Sequence, residues 1–319
     1  MEHDKKDNPA SALVSIIIPA YNASRFIRET LNSVLEQTYA TTEIIVVDDG
    51  SSDDTREILN TYNEKITVVT QDNQGQAAAR NRGARIAGGT YLSFVDADDV
   101  CDQNKIEKQV ALLRLFPDAI ATYCDFRIID DRGITITGHN ALEKPRPSGN
   151  ILASLLYDNN ISTPGLVLVK RSAWAEVSGF NEAPAHRGHE DALFWLKLAL
   201  VGSFVYSPET LFSYRRHDMQ ETQKSDYELM RSFARAQRLM EIKSTIIRVT
   251  GESTKQFYRE RLFCALIDAA WAARSNGYRK EAWRYAQFAI CERPHSFAAW
   301  RSLLSSIAAV LHVGMPYRR

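Results

Sequence analysis

Short apolar runs alternate with helical patterns along the first 116 residues of the chain. The apolar runs are Leu13–Pro19, Glu43–Val47, Thr67–Thr70 and Tyr91–Val95. The helical patterns that follow them are Phe26–Leu35, Asp54–Tyr62, Gln76–Ala87 and Lys105–Phe116. The first run is β-branched and does not alternate with polar residues, which is typical of a strand buried on both faces of a parallel sheet. Four strand–helix units predict an α/β fold with a mostly parallel central sheet, whose functional loops gather at the carboxyl ends of the strands.

The rest of the chain changes from mixed to purely helical patterns. Strand-like segments occur at Ala119–Tyr123, Gly165–Val169, Phe204–Tyr206 and Leu211–Tyr214, and a strong helical pattern covers 189–201. Further helical patterns follow at Tyr258–Ala273, Arg279–Ile290 and Phe297–Val310. We therefore expect three parts, namely a disordered segment 1–12, an α/β domain 13–222 and a helical C-terminal region 223–319.

The last helical pattern has one continuous apolar face. It is formed by Phe297, Trp300, Leu304, Ile307 and Leu311. Helical spacing places these side chains on the same side of the helix. Such a stripe usually packs against a protein core, and contact with a membrane surface is the alternative.

Charge is balanced over the whole chain but not along it. The formal net charge is zero, so the molecule as a whole shows no signature of nucleic-acid binding. Residues 1–214 contain 20 Lys and Arg against 29 Asp and Glu, whereas residues 215–319 contain 19 against 10. The basic region either complements the acidic first part or binds an anionic surface, for which lipid is the better candidate. We expect no nucleic-acid partner and consider peripheral membrane contact through the C-terminal helices.

The cysteines and the N-terminal residues indicate where the protein works. Cys101, Cys124, Cys264 and Cys291 lie far apart and form no C-x-x-C pair, so neither a zinc site nor a disulfide framework is indicated. The N-terminal residues are polar and contain no apolar stretch of a signal peptide. No apolar run approaches the ~20 residues that span a bilayer. We expect a cytoplasmic protein that, where it meets the cell membrane, lies on its inner face.

An acidic cluster follows the fourth predicted strand. Asp96, Asp98 and Asp99 lie within four residues of each other, and such a concentration of negative charge is costly unless a cation neutralises it. Two carboxylates at positions i and i+2 can face one hard cation, and oxygen ligands suit Mg²⁺ or Mn²⁺. Helix capping is the structural alternative, but Asp102 alone would suffice for it. We therefore predict a divalent cation at this loop.

Three further sets of polar residues follow predicted elements. Asp48-Asp49 ends the second strand, where it either forms a turn or accepts an N–H from a nucleotide base. Glu190-Asp191 opens a helix, where carboxylates are favoured and where an ionised acid can serve as a general base. Arg215-Arg216-His217 follows a strand and is either a solvated loop or a contact for a diphosphate and a metal.

The ordered set of these motifs resembles the family 2 glycosyltransferases. The set consists of Val14–Asn22 (VSIIIPAYN), Ile44–Ser51 (IIVVDDGS), Gly75 with Ala79-Arg80-Asn81, Phe94–Asp99 (FVDADD), Gly179-Phe180 and Glu190-Asp191. The resemblance spans about residues 13–217 and leaves the C-terminal hundred residues outside. It implies a GT-A fold and inverting transfer of a sugar from a nucleoside-diphosphate sugar, with UDP the expected nucleotide, to a glycan or lipid-linked acceptor.

The resemblance also implies a role for each matching position. Asp191 corresponds to the catalytic base, Asp98 to the metal ligand and His217 to a late metal or diphosphate contact, with Mn²⁺ or Mg²⁺ as the ion. The implied donor-binding residues are Pro19, Tyr21, Asn22, Asp49, Arg80, Asp96 and Ala97. Among these, Asp49 corresponds to the acid that reads the base and Asp96 to an acid beside the ribose or the metal. Glu190, Arg215 and Arg216 are candidate contacts for the diphosphate or the acceptor.

Two alternatives compete with this interpretation. A sugar-nucleotidyltransferase would share the sheet and the acid pair, but it should carry a Gly-rich, basic loop directly after the first strand. The loop in this chain is Pro-Ala-Tyr-Asn-Ala-Ser, at 19–24. A non-catalytic nucleotide-sugar-binding scaffold should lack some of the charged positions, yet all of them are filled. We therefore favour the transferase.

Overall fold

The structure, a computed structural model, describes residues 12–137, 146–159, 161–183, 188–220 and 227–311. The chain forms two compact units, one ending at Met219 and the other beginning at Gln220. The boundary lies three residues before the one expected from the sequence. Of the predicted disordered segment 1–12, all but Ala12 lies outside the described residues.

A single mixed sheet forms the centre of the first unit. Within the described residues its strands are β1 (Val14–Ala20), β2 (Thr42–Asp48), β3 (Thr67–Thr70), β4 (Tyr91–Phe94), β5 (Val100–Cys101), β6 (Ala119–Ile129), β7 (Thr135–Thr137), β8 (Val167–Lys170) and β9 (Ser203–Arg215). Their order across the sheet is β3-β2-β1-β4-β8-β6-β9-β5, and β7 pairs with β6.

The first four strands run parallel, so their carboxyl ends meet at one edge. Ile17 of β1 lies opposite Ile45 of β2 and Phe94 of β4. Strand β8 is antiparallel to its neighbours, while β6 and β9 are parallel to each other. The predicted α/β fold with a mostly parallel central sheet is confirmed.

Helices cover the sheet of the first unit. They are α1 (Ile27–Leu35), α2 (Thr55–Asn60), α3 (Gln76–Ile86), α4 (Lys105–Leu115), α5 (Leu152–Tyr157), α6 (Arg171–Glu176) and α7 (Glu190–Val201). Helices α1 to α4 and α7 confirm the predicted helices to within two residues at each end. The short helices α5 and α6 were not predicted.

Strand β9 differs from its prediction as two separate strands. Ser207-Pro208-Glu209 looks like a turn in the sequence, yet the strand continues through it. Tyr206 lies opposite Tyr123 of β6, and Thr210 lies opposite Asp125. Between these two pairs β9 advances by four residues while β6 advances by two. The extra residues form a bulge, where a proline is tolerated because no ladder hydrogen bond is required of it.

The second unit is entirely helical in the part of the chain that is described. It contains α8 (Tyr227–Glu241), α9 (Lys243–Val249), α10 (Glu252–Ser275), α11 (Arg279–Glu292) and α12 (Phe297–Leu311). The Tyr258 hydroxyl on α10 donates to the carbonyl of Leu239 on α8 at 2.5 Å. Phe233 on α8 stacks on Tyr285 of α11 with 5.3 Å between ring centroids. Among the helices described here, none has both the length and the hydropathy to cross a bilayer.

The apolar face predicted for helix α12 is exposed at three positions. An apolar face of this kind usually packs against a core, but that expectation is wrong here for Phe297, Trp300 and Leu304, which are 79%, 47% and 62% exposed. The side chains at 308–311 are not described. Helical spacing predicts which residues share a face of the helix, but it contains no information on whether that face points to the core or to solvent.

Helix α3 lies unusually close to strand β1. Apart from Arg80 and Asn81, its buried residues are alanines and a glycine, and this glycine, Gly83, faces the sheet. A Cβ atom added to Gly83 would lie 2.5 Å from Cγ2 of Ile17 and 3.4 Å from Cγ2 of Val47. Both neighbours are β-branched and fully buried, so neither side chain can move aside easily.

We predict that Gly83→Ala destabilises the protein, although alanine is the better helix former. The lost fit between α3 and β1 should cost about 1–3 kcal/mol of unfolding free energy, as overpacking of cores does. Gly88→Ala is the control, because Gly88 is exposed, has no positive φ, and an added Cβ would make only ordinary contacts at 3.6 Å or more. Urea unfolding measures both variants, and a more stable Gly83→Ala protein would refute the close packing of α3.

Candidate active site

The acidic loop after β4 is held in place from helix α1. The Thr30 hydroxyl lies within hydrogen-bond distance of the carbonyls of Ala97, at 3.0 Å, and of Asp99, at 2.8 Å. Asp96 and Asp98 keep 24% and 25% of their side chains exposed. The loop therefore presents these two carboxylates outward from a buried backbone.

Asp99 points inward instead. Its side chain is fully buried, and its Oδ1 accepts the backbone N–H of Arg215 at 2.9 Å. Burial raises the pKa of Asp99 well above its usual value, the charges of Asp98 and Asp96 raise it further, and Arg215 opposes them. Asp99 thus joins the acidic loop to the end of β9 and is not an outward ligand.

Arg215 fastens the end of β9 to the acidic loop. Its Nε donates to the carbonyl of Asp98 at 2.8 Å, and its Nη2 pairs with Glu29 of α1 at 2.5 Å. The side chain is 1% exposed, and its guanidinium carbon lies 4.7 Å from the ring centre of Phe26. These contacts do not fit the expected diphosphate contact, because the guanidinium is committed to the protein. Its neighbour Arg216 is exposed, as a ligand contact requires.

His217 lies against Asp98. Its Nε2 is 2.9 Å from Oδ2 of Asp98, and its ring centre is 4.8 Å from that of Phe26. The backbone N–H of Met219 donates to Nδ1 at 3.3 Å. Both ring nitrogens of His217 are therefore in contact with polar groups of the protein.

The pair formed by Asp98 and His217 fits a divalent cation that shares its coordination with a ligand. A carboxylate oxygen and an imidazole nitrogen point at each other, and both are accepted by Mn²⁺. Within the described ranges, no group of three or more His, Cys, Asp or Glu side chains is placed to hold a metal. Mg²⁺-type sites commonly use one or two protein ligands and complete their shell with phosphate oxygens and water.

Arg80 of α3 connects the acidic loop to the start of α7. Its Nη2 pairs with Oδ1 of Asp96 at 2.6 Å, and its Nη1 pairs with Oε1 of Glu190 at 2.7 Å. Arg80 and Glu190 are each 2% exposed. Burial lowers the pKa of Arg80, but the charges and hydrogen bonds of Asp96 and Glu190 outweigh it and raise the pKa above its usual value. The guanidinium is therefore charged and forms a permanent bridge, and Glu190 is not placed to contact an anionic diphosphate.

Asn81, the next residue on α3, fixes the segment that leads towards α7. Its side-chain amide donates to the carbonyl of Phe180 at 2.8 Å and accepts the N–H of Phe180 at 2.9 Å. Gly179 has a φ of +66°, and an added Cβ would lie 2.4 Å from Oδ1 of Asn81. A glycine is therefore required at position 179, because the backbone there is left-handed and the Asn81 side chain leaves no room for a Cβ atom.

Asp191 occupies the first turn of α7, directly after Glu190. Its side chain is partly buried. The positive end of the helix dipole favours its ionised form. The Arg80 bridge to Glu190 therefore fixes the helix turn that carries the predicted base.

Asp49 organises the loop that leads into α3. Its Oδ1 accepts hydrogen bonds from Nε2 of Gln71 at 2.7 Å and from the N–H of Gln74 at 2.9 Å, and its Oδ2 accepts the N–H of Gly75 at 2.8 Å. The side chain is almost fully buried. A carboxylate can accept about four hydrogen bonds, so one position is left for a further donor.

The residues after β1 line the same edge of the sheet. Pro19 is buried within the strand, opposite Val47. Tyr21 is 52% exposed, while Asn22 has a φ of 49° and accepts the N–H of Ser52 through its side-chain oxygen at 2.8 Å. The predicted donor-binding residues of this loop are thus divided between a solvent-facing ring and a fixed turn.

Several supporting residues were not recognised in the sequence. Three of them lie at the start of α1. The ring of Phe26 contacts His217, Glu29 pairs with Arg215, and Thr30 contacts the acidic loop. Thr163, whose hydroxyl is 3.4 Å from Asp96, lies in a loop without a sequence motif. The spacing of Phe26 and Thr30 on the apolar side of α1 was the only available signal, and it predicts burial without specifying a partner.

Comparison with known proteins identifies the family of this arrangement. Residues 15–177 match the family model described as Glycosyl transferase family 2. An uncharacterized glycosyltransferase of Rickettsia typhi is 32% identical over 287 residues, which cover 86% of this chain and 84% of that protein.

Solved structures with low sequence identity share the fold. A crystal structure of Staphylococcus aureus TarS in complex with UDP-GlcNAc superposes with a TM-score of 0.66 at 18% identity, covering 92% of this chain and 88% of that chain. A mannosyltransferase of Pyrobaculum calidifontis in complex with GDP-Man and Mn²⁺ gives a TM-score of 0.58 at 20% identity, covering 94% and 81%. The GT-A fold predicted from the sequence is confirmed by these likenesses.

We predict that Arg80→Met destabilises the protein strongly. The substitution keeps most of the volume but leaves Asp96 and Glu190 without their shared cation, which should cost about 3–5 kcal/mol as for other broken buried pairs. Adding Glu190→Gln should recover part of the loss, because it removes the buried charge. Urea unfolding of the single and double variants gives both values.

Arg85→Met is the matched control on the same helix. Arg85 pairs with Glu182 at 2.8 Å, but the two side chains are 59% and 40% exposed. Exposed pairs contribute about 0–1 kcal/mol, so this variant should be nearly as stable as the wild type. Equal effects of Arg80→Met and Arg85→Met would mean that the buried bridge contributes little.

Proposed function

Because the chain belongs to glycosyl transferase family 2, we propose that it is an inverting glycosyltransferase that uses a nucleoside-diphosphate sugar. The expected donor is a UDP-sugar and the expected acceptor is a hydroxyl of a glycan or a lipid-linked glycan. The observation that carries the proposal is the Arg80 bridge, which joins Asp96 of the acidic loop to the helix turn of Asp191.

Donor binding is assigned to the carboxyl edge of β1, β2 and β4. Asp49 retains acceptor capacity for one N–H of a nucleotide base, and its three protein donors hold the carboxylate in a defined orientation. Tyr21 offers an exposed ring beside it for stacking. Asp96 is partly exposed and suited to accept from a ribose hydroxyl, while its other oxygen is fixed by Arg80.

The diphosphate is assigned to the side of the site formed by Asp98, His217 and Arg216. A Mn²⁺ or Mg²⁺ ion held by Asp98 and His217 would supply the positive charge that offsets the charge growing on the departing nucleoside diphosphate. Arg216 is exposed next to this pair and can donate hydrogen bonds to phosphate oxygens. We assign no ligand contact to Arg215, because its guanidinium holds the acidic loop.

Asp191 is assigned as the general base. A sugar hydroxyl cannot ionise unaided, so its proton passes to the Asp191 carboxylate as the hydroxyl oxygen attacks the anomeric carbon. The new carbon–oxygen bond forms on the face opposite the diphosphate, whose bond to the same carbon breaks. This single displacement inverts the anomeric centre and requires no carboxylate nucleophile.

One of the two alternatives left open by the sequence loses support, because membership of a glycosyltransferase family argues against a sugar-nucleotidyltransferase. The non-catalytic scaffold is tested by turnover.

The nucleotide of the donor differs between the two solved structures, since one is a complex with UDP-GlcNAc and the other a complex with GDP-Man. A donor screen therefore has to include both nucleotides.

We predict that the purified protein hydrolyses one of a panel of UDP- and GDP-sugars in the presence of Mn²⁺. Water takes the place of the acceptor hydroxyl, so the free sugar and the nucleoside diphosphate are both released. Asp191→Asn should lower the turnover number by about 10²–10⁴-fold, the range of general-base catalysis, because the amide cannot take the proton. Donor affinity measured by calorimetry should stay nearly unchanged.

Asp118→Asn is the control for this substitution, because Asp118 is an exposed surface acid. It should keep wild-type turnover. Wild-type turnover in Asp191→Asn would remove the base assignment, whereas inactivity of the wild type with every donor would count against the transferase itself.

We predict that Asp98→Ala and His217→Ala each weaken Mn²⁺-dependent donor binding by roughly tenfold or more, since each removes one of two proposed protein ligands. Isothermal titration of the donor with and without Mn²⁺ measures this independently of turnover. Asp218→Ala is the matched control, because Asp218 adjoins His217 and is 85% exposed. An unchanged response to Mn²⁺ in Asp98→Ala would exclude it as a ligand.

A further inference from the structure

Helix α12 exposes three of its large apolar side chains and buries small side chains on the opposite side. Phe297, Trp300 and Leu304 are 79%, 47% and 62% exposed. At 3.6 residues per turn, positions i, i+3 and i+7 fall on one side of a helix. The exposed face is therefore a continuous apolar strip of two turns.

The opposite side of α12 packs inward. Ala299, Ser302 and Ser306 are 0%, 8% and 0% exposed, and they have the same i, i+3, i+7 spacing. The Ser306 hydroxyl donates to the carbonyl of Ser302 at 2.8 Å, so its buried oxygen is satisfied within the helix. A helix that only stabilised the fold would bury its phenylalanine, tryptophan and leucine, since burying each such side chain contributes about 1.5–3 kcal/mol. The inverted arrangement indicates that the apolar strip has a partner.

The sequence segment that contains the strip carries acidic residues at none of its positions from 293 onward. Residues 293–319 contain four arginines and no aspartate or glutamate. Arg293, just before the helix, and Arg301, on the second turn, are exposed. An apolar strip flanked by arginines complements a surface that is apolar beneath an anionic layer.

Trp300 is prepared for an interfacial position. Its indole N–H donates to the carbonyl of Pro294 at 2.7 Å, which fixes the ring while nearly half of it stays exposed. A tryptophan whose polar group is already satisfied can place its ring among lipid head groups without losing a hydrogen bond.

We propose that the apolar strip of α12 (Phe297, Trp300 and Leu304), together with Arg293 and Arg301, binds the surface of a bilayer that contains anionic phospholipid. The helix lies in the plane of the interface, with its small-residue side against the rest of the helical unit. This surface does not depend on the proposed transferase activity, because none of its residues belongs to the candidate active site.

A second copy of the chain suits this strip less well. A two-fold symmetric contact brings the same patch of both copies together, so the arginines beside the strip of one copy would meet a patch that carries the same arginines. The acid-free run offers no carboxylate between 293 and 319 to neutralise them. Anionic lipid supplies that charge.

Vesicle sedimentation of the full chain tests the proposal. The probe is vesicles of phosphatidylglycerol and phosphatidylcholine in equal parts, compared with vesicles of phosphatidylcholine alone. We expect the wild type to sediment with the anionic vesicles and to be released as NaCl rises from about 0.1 M to about 0.5 M. The triple variant Phe297→Ser/Trp300→Ser/Leu304→Ser should bind at least tenfold more weakly, and Arg293→Gln/Arg301→Gln about fivefold more weakly for each arginine.

Leu115→Ser is the matched control, because Leu115 is 70% exposed on α4 of the other unit. It should bind vesicles like the wild type. Circular dichroism confirms that each variant is folded, and the arginine variant serves if the triple variant is not. Equal vesicle binding by the wild type and both α12 variants would overturn the proposal. So would sedimentation velocity showing a wild-type dimer that the triple variant dissociates, since the strip would then join two copies.

Discussion

The candidate active site depends on one buried cation. Arg80 reaches from α3 to Asp96 on one side and to Glu190 on the other, at 2.6 and 2.7 Å. These two acids lie 94 residues apart in the sequence and belong to different elements. Without the guanidinium, the buried Glu190 carboxylate would lose its ion-pair partner, which is strongly destabilising for a buried charge. The relative placement of the acidic loop and the first turn of α7 is therefore set by the position of α3.

That position is in turn set by small residues and by Asp49. Gly83 allows α3 to approach β1, and Asp49 binds the N–H groups of Gln74 and Gly75 just before the helix begins. The fold thus uses one acid at the end of β2 to place an arginine that orders the acids at the end of β4. Replacing a buried ion pair by apolar residues often stabilises a protein. An ionic bridge is retained here, we infer, because it specifies one geometry for the site.

The sequence predicted the scaffold and the outward-facing acids, but not the internal connections. Periodicity predicts the four strand–helix units and the five helices α1 to α4 and α7. It can do so because the spacing of apolar residues within one element shows which of its faces is buried. Periodicity does not predict the roles of Arg80 and Arg215, since an arginine that contacts a ligand and one that orders a loop look identical in sequence. Thr163 and Phe26 could not be placed without the register of the sheet, which brings distant loops to one edge. Strand β9 was predicted as two segments, Phe204–Tyr206 and Leu211–Tyr214, because the bulge that joins them depends on the neighbouring strand.

The two units use the same residue types for opposite purposes. In the first unit, Arg80 and Arg215 are buried against aromatic rings and carboxylates, and their guanidinium groups hold the acids of the site in position. In the second, Arg293 and Arg301 remain exposed beside an apolar strip, and no acid follows them in the sequence to neutralise them. The zero net charge of the chain conceals this division. A basic region whose arginines were all paired internally would have no electrostatic reason to meet a lipid surface, whereas Arg293 and Arg301 are exposed and can interact with one.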